Sequence, residues 1–121
     1  MKRILLVDDS PTMLMSMECV LKRNGYAVAT ATSAKQAIEK APTFKPDLMI
    51  TDLNMPHMSG IELIRELKNT PAMRFKPMLM LTTEFQQSKR DEAKQAGATG
   101  WLVKPLHPEE LSNVVRKVLP A

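Results

Sequence analysis

Five short apolar runs recur along the chain at similar intervals, at residues 4–7, 27–30, 48–51, 78–81 and 101–103. Segments of helical period lie between them. Strands that alternate with helices make βαβ units and hence a parallel sheet. The first, third and fourth runs are continuously apolar, as strands covered on both faces must be. Ala27-Val28-Ala29-Thr30 is the weakest run and suits an edge. Right-handed crossovers then place helices on both faces of a five-stranded sheet, a doubly wound α/β fold.

The helix signals agree with this order. Ser10-Pro11 reads as an N-cap followed by proline at the first helical position. Met13, Leu14, Met17, Val20 and Leu21 form one apolar stripe, and Gly25 closes that helix. Ser33 with Gln36, and Ser59 with Glu62, have the spacing of capping boxes. Ile61, Leu63, Ile64 and Leu67 supply the third helix face, which ends before Pro71. Thr83-Glu84-Phe85-Gln86 is expected to cap a fourth helix that stops at Gly97. That helix is thin in apolar residues and is expected to be loosely held. His107-Pro108-Glu109-Glu110 opens the last helix with acids in its first turn, where the helix dipole favours them. Its buried face is Leu111, Val114, Val115, Val118 and Leu119.

The chemistry lies at the ends of the strands. Asp8-Asp9 follow the first apolar run and Asp52 follows the third. In doubly wound sheets, ligands gather at the carboxyl ends of strands where the winding reverses. If strands one and three flank that reversal, the acids are neighbours in space. Carboxylates packed together repel, so they call for a bound cation or for a carboxylate that reacts. Thr82-Thr83 at the end of the fourth run and Lys104-Pro105 after the fifth reach the same edge.

Composition narrows the alternatives. The 121 residues fit one domain, spanning 1–121, large enough to bury a core. Lys and Arg number 17 against 13 Asp and Glu, but the basic residues are spread, which argues for a solvated surface and not a nucleic-acid footprint. The single cysteine, Cys19, excludes an internal disulfide and suits a reducing compartment. No apolar stretch approaches the ~18 residues of a membrane span. Met1-Lys2-Arg3 precedes a run too short for a signal peptide, so a cytoplasmic location is expected by default; a monomer is expected separately. His57 and His107 lack metal-like spacing and read as surface or cap residues, whereas Met15 and Cys19 lie off the first helix stripe and read as exposed.

Val7-Asp8-Asp9-Ser10, Asp52-Leu53-Asn54-Met55-Pro56, Met58-Ser59-Gly60, Leu81-Thr82-Thr83-Glu84 and the stretch from Ala96 to Pro105 together resemble the receiver domain of two-component response regulators. The resemblance runs nearly end to end, and is nearest to single-domain chemotaxis regulators of the CheY type. It implies a flavodoxin-like (βα)5 sheet of strand order 2-1-3-4-5.

It also implies roles. Asp52 would accept a phosphoryl group from a histidine kinase. Asp9, Asp52 and the backbone carbonyl of Asn54 would bind Mg²⁺, or Mn²⁺ in its place, with Asp8 acting through a bound water. Lys104 and the Thr82 hydroxyl would meet the phosphoryl group, and Lys104-Pro105 would be a cis peptide. Trp101 stands where the family usually carries Tyr or Phe as its switch aromatic. Asn54 and Glu84 occupy the positions that tune hydrolysis of the aspartyl phosphate, and resemble the pair found in chemotaxis regulators.

With no output domain expected, the output would be binding of another protein to the face built by the fourth helix, fifth strand and fifth helix. A chemotaxis kinase and a flagellar switch protein are the implied partners. A phosphorelay intermediate or a phosphate sink would use the same site. An aspartate-nucleophile phosphatase is the competing class, but it places its two acids two residues apart after the first strand, where Asp8 and Asp9 are adjacent. A flavodoxin-like nucleotide carrier would want a phosphate loop where these acids stand.

Overall fold

A computed structural model describes residues 1–120. The element order is β1 (Arg3–Val7), α1 (Pro11–Arg23), β2 (Ala27–Ala31), α2 (Ala34–Phe44), β3 (Leu48–Thr51), α3 (Gly60–Lys68), β4 (Met78–Thr82), α4 (Gln87–Ala96), β5 (Gly100–Val103) and α5 (Pro108–Val118). All strand pairs are parallel and the sheet order is β2-β1-β3-β4-β5, the doubly wound arrangement expected from the sequence.

Alternation along each strand builds two cores. Ile4 and Leu6 of β1, Leu48 and Ile50 of β3, and Leu79 and Leu81 of β4 point to one face, where Leu14, Met17, Leu21, Leu111 and Val115 of α1 and α5 cover them. Leu5, Val7, Met49, Met78 and Met80 point to the other face, against α2, α3 and α4. β3 and β4 are buried along their whole length, which accounts for their unbroken apolar sequence. No helix among the described residues is long and apolar enough to cross a membrane.

The ends of the helices hold to their sequence signals with two exceptions. Ser10 Oγ accepts from the Met13 N–H, and Ser59 and Glu62 make a complete capping box. Gly25 follows the C-cap of α1 with φ +94°, a conformation that costs glycine little. The first exception is Ser33. It caps the Gln36 N–H, but the Gln36 side chain accepts from the Thr32 N–H, one residue upstream of the position a reciprocal box requires. The second is α4, which begins at Gln87 and not within residues 83–86. Local bonds hold that stretch as a loop instead: the Glu84 N–H donates to Thr82 Oγ1 and the Gln86 N–H to Glu84 Oε1. α4 buries only Ala93 and Ala96, a shallow seat.

At the β2 edge, Ala27 donates to Lys2 O and Ala31 O accepts from Asp8, so those residues face β1. Val28 and Thr30 therefore turn their backbone groups outward. The Lys40 ammonium donates to Thr30 O from α2.

Candidate functional site

The register Val7↔Thr51 brings β1 and β3 to the same height, so the residues that follow them are adjacent. The Asp52 N–H donates to Val7 O at 2.9 Å and ties the two strand ends together. Asp8 is 1% exposed and Asp52 9%, while Asp9 faces solvent. One carboxylate oxygen from each of Asp8, Asp9 and Asp52 lies within 4.8 Å of the others.

Lys104, carried just beyond β5, reaches into this cluster. Its Nζ lies 2.7 Å from Asp8 Oδ2 and 3.4 Å from Asp52 Oδ2. Lys104 thus bridges the two acids, and Asp8 is the nearer partner. Burial pulls the Lys104 pKa down, but the hydrogen bond to Asp8 and the charges of Asp52 and Asp8 outweigh it, and the net shift is upward. The lysine is held as a cation. Three carboxylates against one ammonium leave the cluster with an excess of two negative charges. An all-oxygen donor set with that excess fits a hard divalent cation such as Mg²⁺.

The remaining lone pairs are directed by the backbone. Asp8 Oδ1 accepts from the Ser10 N–H at 2.9 Å, and Asp52 Oδ1 accepts from the Leu53 N–H at 2.7 Å. Thr82 ends β4 fully buried, with its hydroxyl turned to the Glu84 N–H at 3.2 Å. Trp101 is half-buried, and its indole Nε1 donates to the Glu84 carbonyl at 3.0 Å. The Lys104–Pro105 peptide is cis.

Asp8, Asp9, Asp52 and Lys104 are therefore one cluster, and Thr82, Glu84 and Trp101 form a second, connected set. Asn54 is exposed in the loop after β3 and takes no part in the carboxylate–lysine contacts. His57 is exposed at φ +72°, and His107 caps α5, whose Glu110 Oε1 accepts from the His107 N–H. Met15 and Cys19 are exposed, as their place off the stripe predicts.

Residues 4–116 match the response regulator receiver domain. The chain belongs to that family. It is 36% identical to the chemotaxis protein CheY of Thermotoga maritima, over 97% of each chain. It is 35% identical to the alkaline phosphatase synthesis transcriptional regulatory protein PhoP of Bacillus subtilis, over 98% of this chain but 48% of that protein. Among solved structures, the chemotaxis protein CheY4 of Vibrio cholerae superposes with a TM-score of 0.95 at 41% identity, covering 98% of this chain and 99% of that one. Phosphorylation and a divalent metal are typical of this family, and the receiver domain is a component of two-component signalling.

Sequence reasoning missed three contributors to the site: Thr51, whose hydroxyl donates to the Asp52 carbonyl; the Leu53 N–H; and Gly60, where a Cβ would collide with the Asp52 carbonyl. Only Gly60 left a signal, as the glycine of the Met58-Ser59-Gly60 motif directly after the Ser59 cap of α3.

Proposed function

We propose that Asp52 is the phosphoryl acceptor of a chemotaxis switch, and that the 121 residues work as one receiver unit. The observation that carries this reading is the Lys104 ammonium set between Asp8 and Asp52 beside a third carboxylate. A carboxylate oxygen of Asp52 attacks phosphorus. The P–N bond of a kinase phosphohistidine breaks, and the imidazole leaves with the electron pair. The side chains of Asp9 and Asp52 and the backbone carbonyl of Asn54 would hold Mg²⁺, with Asp8 acting through water. The ion would supply neutralisation of the charge that develops on the phosphoryl oxygens.

The protein's own groups do the rest. Lys104 is a mobile point charge that can leave Asp8 and follow the phosphoryl oxygens. The Thr82 hydroxyl accepts from the Glu84 N–H, and its own proton is left to donate to one of them. A move of Thr82 toward the phosphoryl group draws on the Glu84 loop through that bond, and the carbonyl of Glu84 is held by the Trp101 indole. The site thereby reaches α4 and β5, where Trp101, Arg90 and Lys94 line a cleft of about 380 Å3, and through them the proposed partner face of α4, β5 and α5. Phosphorylation would shift the population of that face between two states.

The chemotaxis assignment draws on the CheY relatives, which this chain spans almost fully, and on Asn54 and Glu84. A flagellar switch protein is the proposed target and a chemotaxis histidine kinase the proposed donor. The chemistry is confined to the protein's own phosphorylation and its reversal. Binding to a purified switch protein is to be measured with and without beryllofluoride and Mg²⁺. Tighter binding with the mimic, abolished in Asp52→Asn, supports the reading; binding indifferent to both removes the switching role.

A further inference from the structure

Thr51 has no exposed surface, and the rest of β3 is Leu48, Met49 and Ile50. Valine would fill the same space without a hydroxyl to desolvate, and a buried hydroxyl is costly unless it is bonded. The hydroxyl is spent on one contact, a hydrogen bond to the carbonyl oxygen of Asp52 at 3.0 Å. No other donor among the described residues reaches that carbonyl.

The carbonyl of Asp52 and the N–H of Leu53 belong to one planar peptide and rotate as a unit. Fixing the oxygen therefore aims the N–H, and that N–H donates to Asp52 Oδ1 at 2.7 Å. Such a pin matters because the terminal torsion of a carboxylate is broad and does not hold itself. From the other side, the Gly60 N–H donates to Leu53 O at 2.8 Å, so the start of α3 holds the next peptide.

We propose that Thr51 is a positioning residue for phosphoryl transfer: its hydroxyl sets the 52–53 peptide, whose N–H holds Oδ1 of Asp52 and leaves Oδ2, the oxygen facing Lys104, as the attacking atom. The proposal rests on the reading of Asp52 as acceptor. It assigns a role to a residue that touches neither phosphoryl group nor metal.

Three variants test it: Thr51→Val, which keeps the shape; Thr51→Ser, which keeps the hydroxyl; and Thr51→Ala, which keeps neither. Phosphorylation by acetyl phosphate at saturating Mg²⁺ is followed by Trp101 fluorescence, with folding checked by circular dichroism. The Leu53 amide proton is followed by NMR. Loss of a single orienting hydrogen bond predicts a roughly two- to tenfold slower rate for Thr51→Val and an upfield move of the Leu53 amide. Thr51→Ser should recover both. A folded Thr51→Val with the parent rate and an unmoved amide overturns the proposal. So does a folded Thr51→Ser as slow as the valine variant, which would assign the effect to methyl packing. If the valine variant does not fold, the serine and alanine pair decides between the same outcomes. Asp52→Asn separates the two levels: acid-stable phosphate uptake by that variant overturns the acceptor reading itself, whatever Thr51 does.

Discussion

Replacing Gly60 by alanine is a severe test of how the acceptor is held. A Cβ built on Gly60 would lie 2.1 Å from the carbonyl oxygen of Asp52, 3.0 Å from its carbonyl carbon and 3.1 Å from Met80 Sδ. Ordinary contact begins at 3.4 Å, so the overlap with the oxygen exceeds an ångström. Two of these neighbours are backbone atoms and do not yield by changing rotamer. Either α3 retreats from the sheet or the Asp52 peptide turns away. Retreat loosens Ile61 and Ile64, and overpacking of this kind costs about 1–3 kcal/mol. Turning the peptide moves the Leu53 N–H off Asp52 Oδ1, and a misplacement of about 1 Å at a reacting group costs about a hundredfold in rate. Urea unfolding and acetyl phosphate kinetics at saturating Mg²⁺, run on the same Gly60→Ala preparation, measure the two costs separately. A variant with the parent's urea midpoint and the parent's rate would refute the reasoning, since neither relaxation would then have occurred.

Other outcomes follow from the same geometry. The Lys104 pKa is raised above its unfolded value of 10.5, so its stabilising share is complete below that value and lost as pH climbs through the folded pKa. Urea midpoints of the parent should therefore fall more steeply above pH ~10.5 than those of Lys104→Gln. Trp101→Phe removes the donor to the Glu84 carbonyl, at a net cost of about 1 kcal/mol, and amides 83–86 should exchange faster by hydrogen–deuterium exchange. Asp9→Asn takes one charge from a cluster that holds an excess of two, and the Mg²⁺ dissociation constant, read from Trp101 fluorescence, should rise about tenfold. An unchanged constant would place the ion elsewhere.

The sheet was legible because each central strand is buried on both faces and so cannot carry a polar residue until it ends. That rule located Asp8 and Asp52 as strand-end residues, and parallel pairing then made them neighbours. The start of α4 was not legible. Thr82, Glu84 and Gln86 bond among themselves, and sequence alone does not say whether such side chains cap a helix or prolong a turn. The closer approach of Lys104 to Asp8 than to Asp52 was equally hidden, since adjacency of strand ends does not set side-chain distances. Thr51 went unnoticed because a threonine at a strand end looks like ordinary β propensity, and its bond to the next carbonyl leaves no periodic trace.

The outer edge of β2 has a consequence for the protein in a crowded solution. An open strand edge is a template on which a second chain can zip. Here Gln36 and Lys40, one turn apart on α2, bend over that rim and occupy the Thr32 N–H and the Thr30 carbonyl. What stays open is Val28 and the N–H of Thr30, a stub too brief to fix the register of an incoming strand. The helix thus acts as a selvedge, a finished border that lets many copies jostle without fraying into one another.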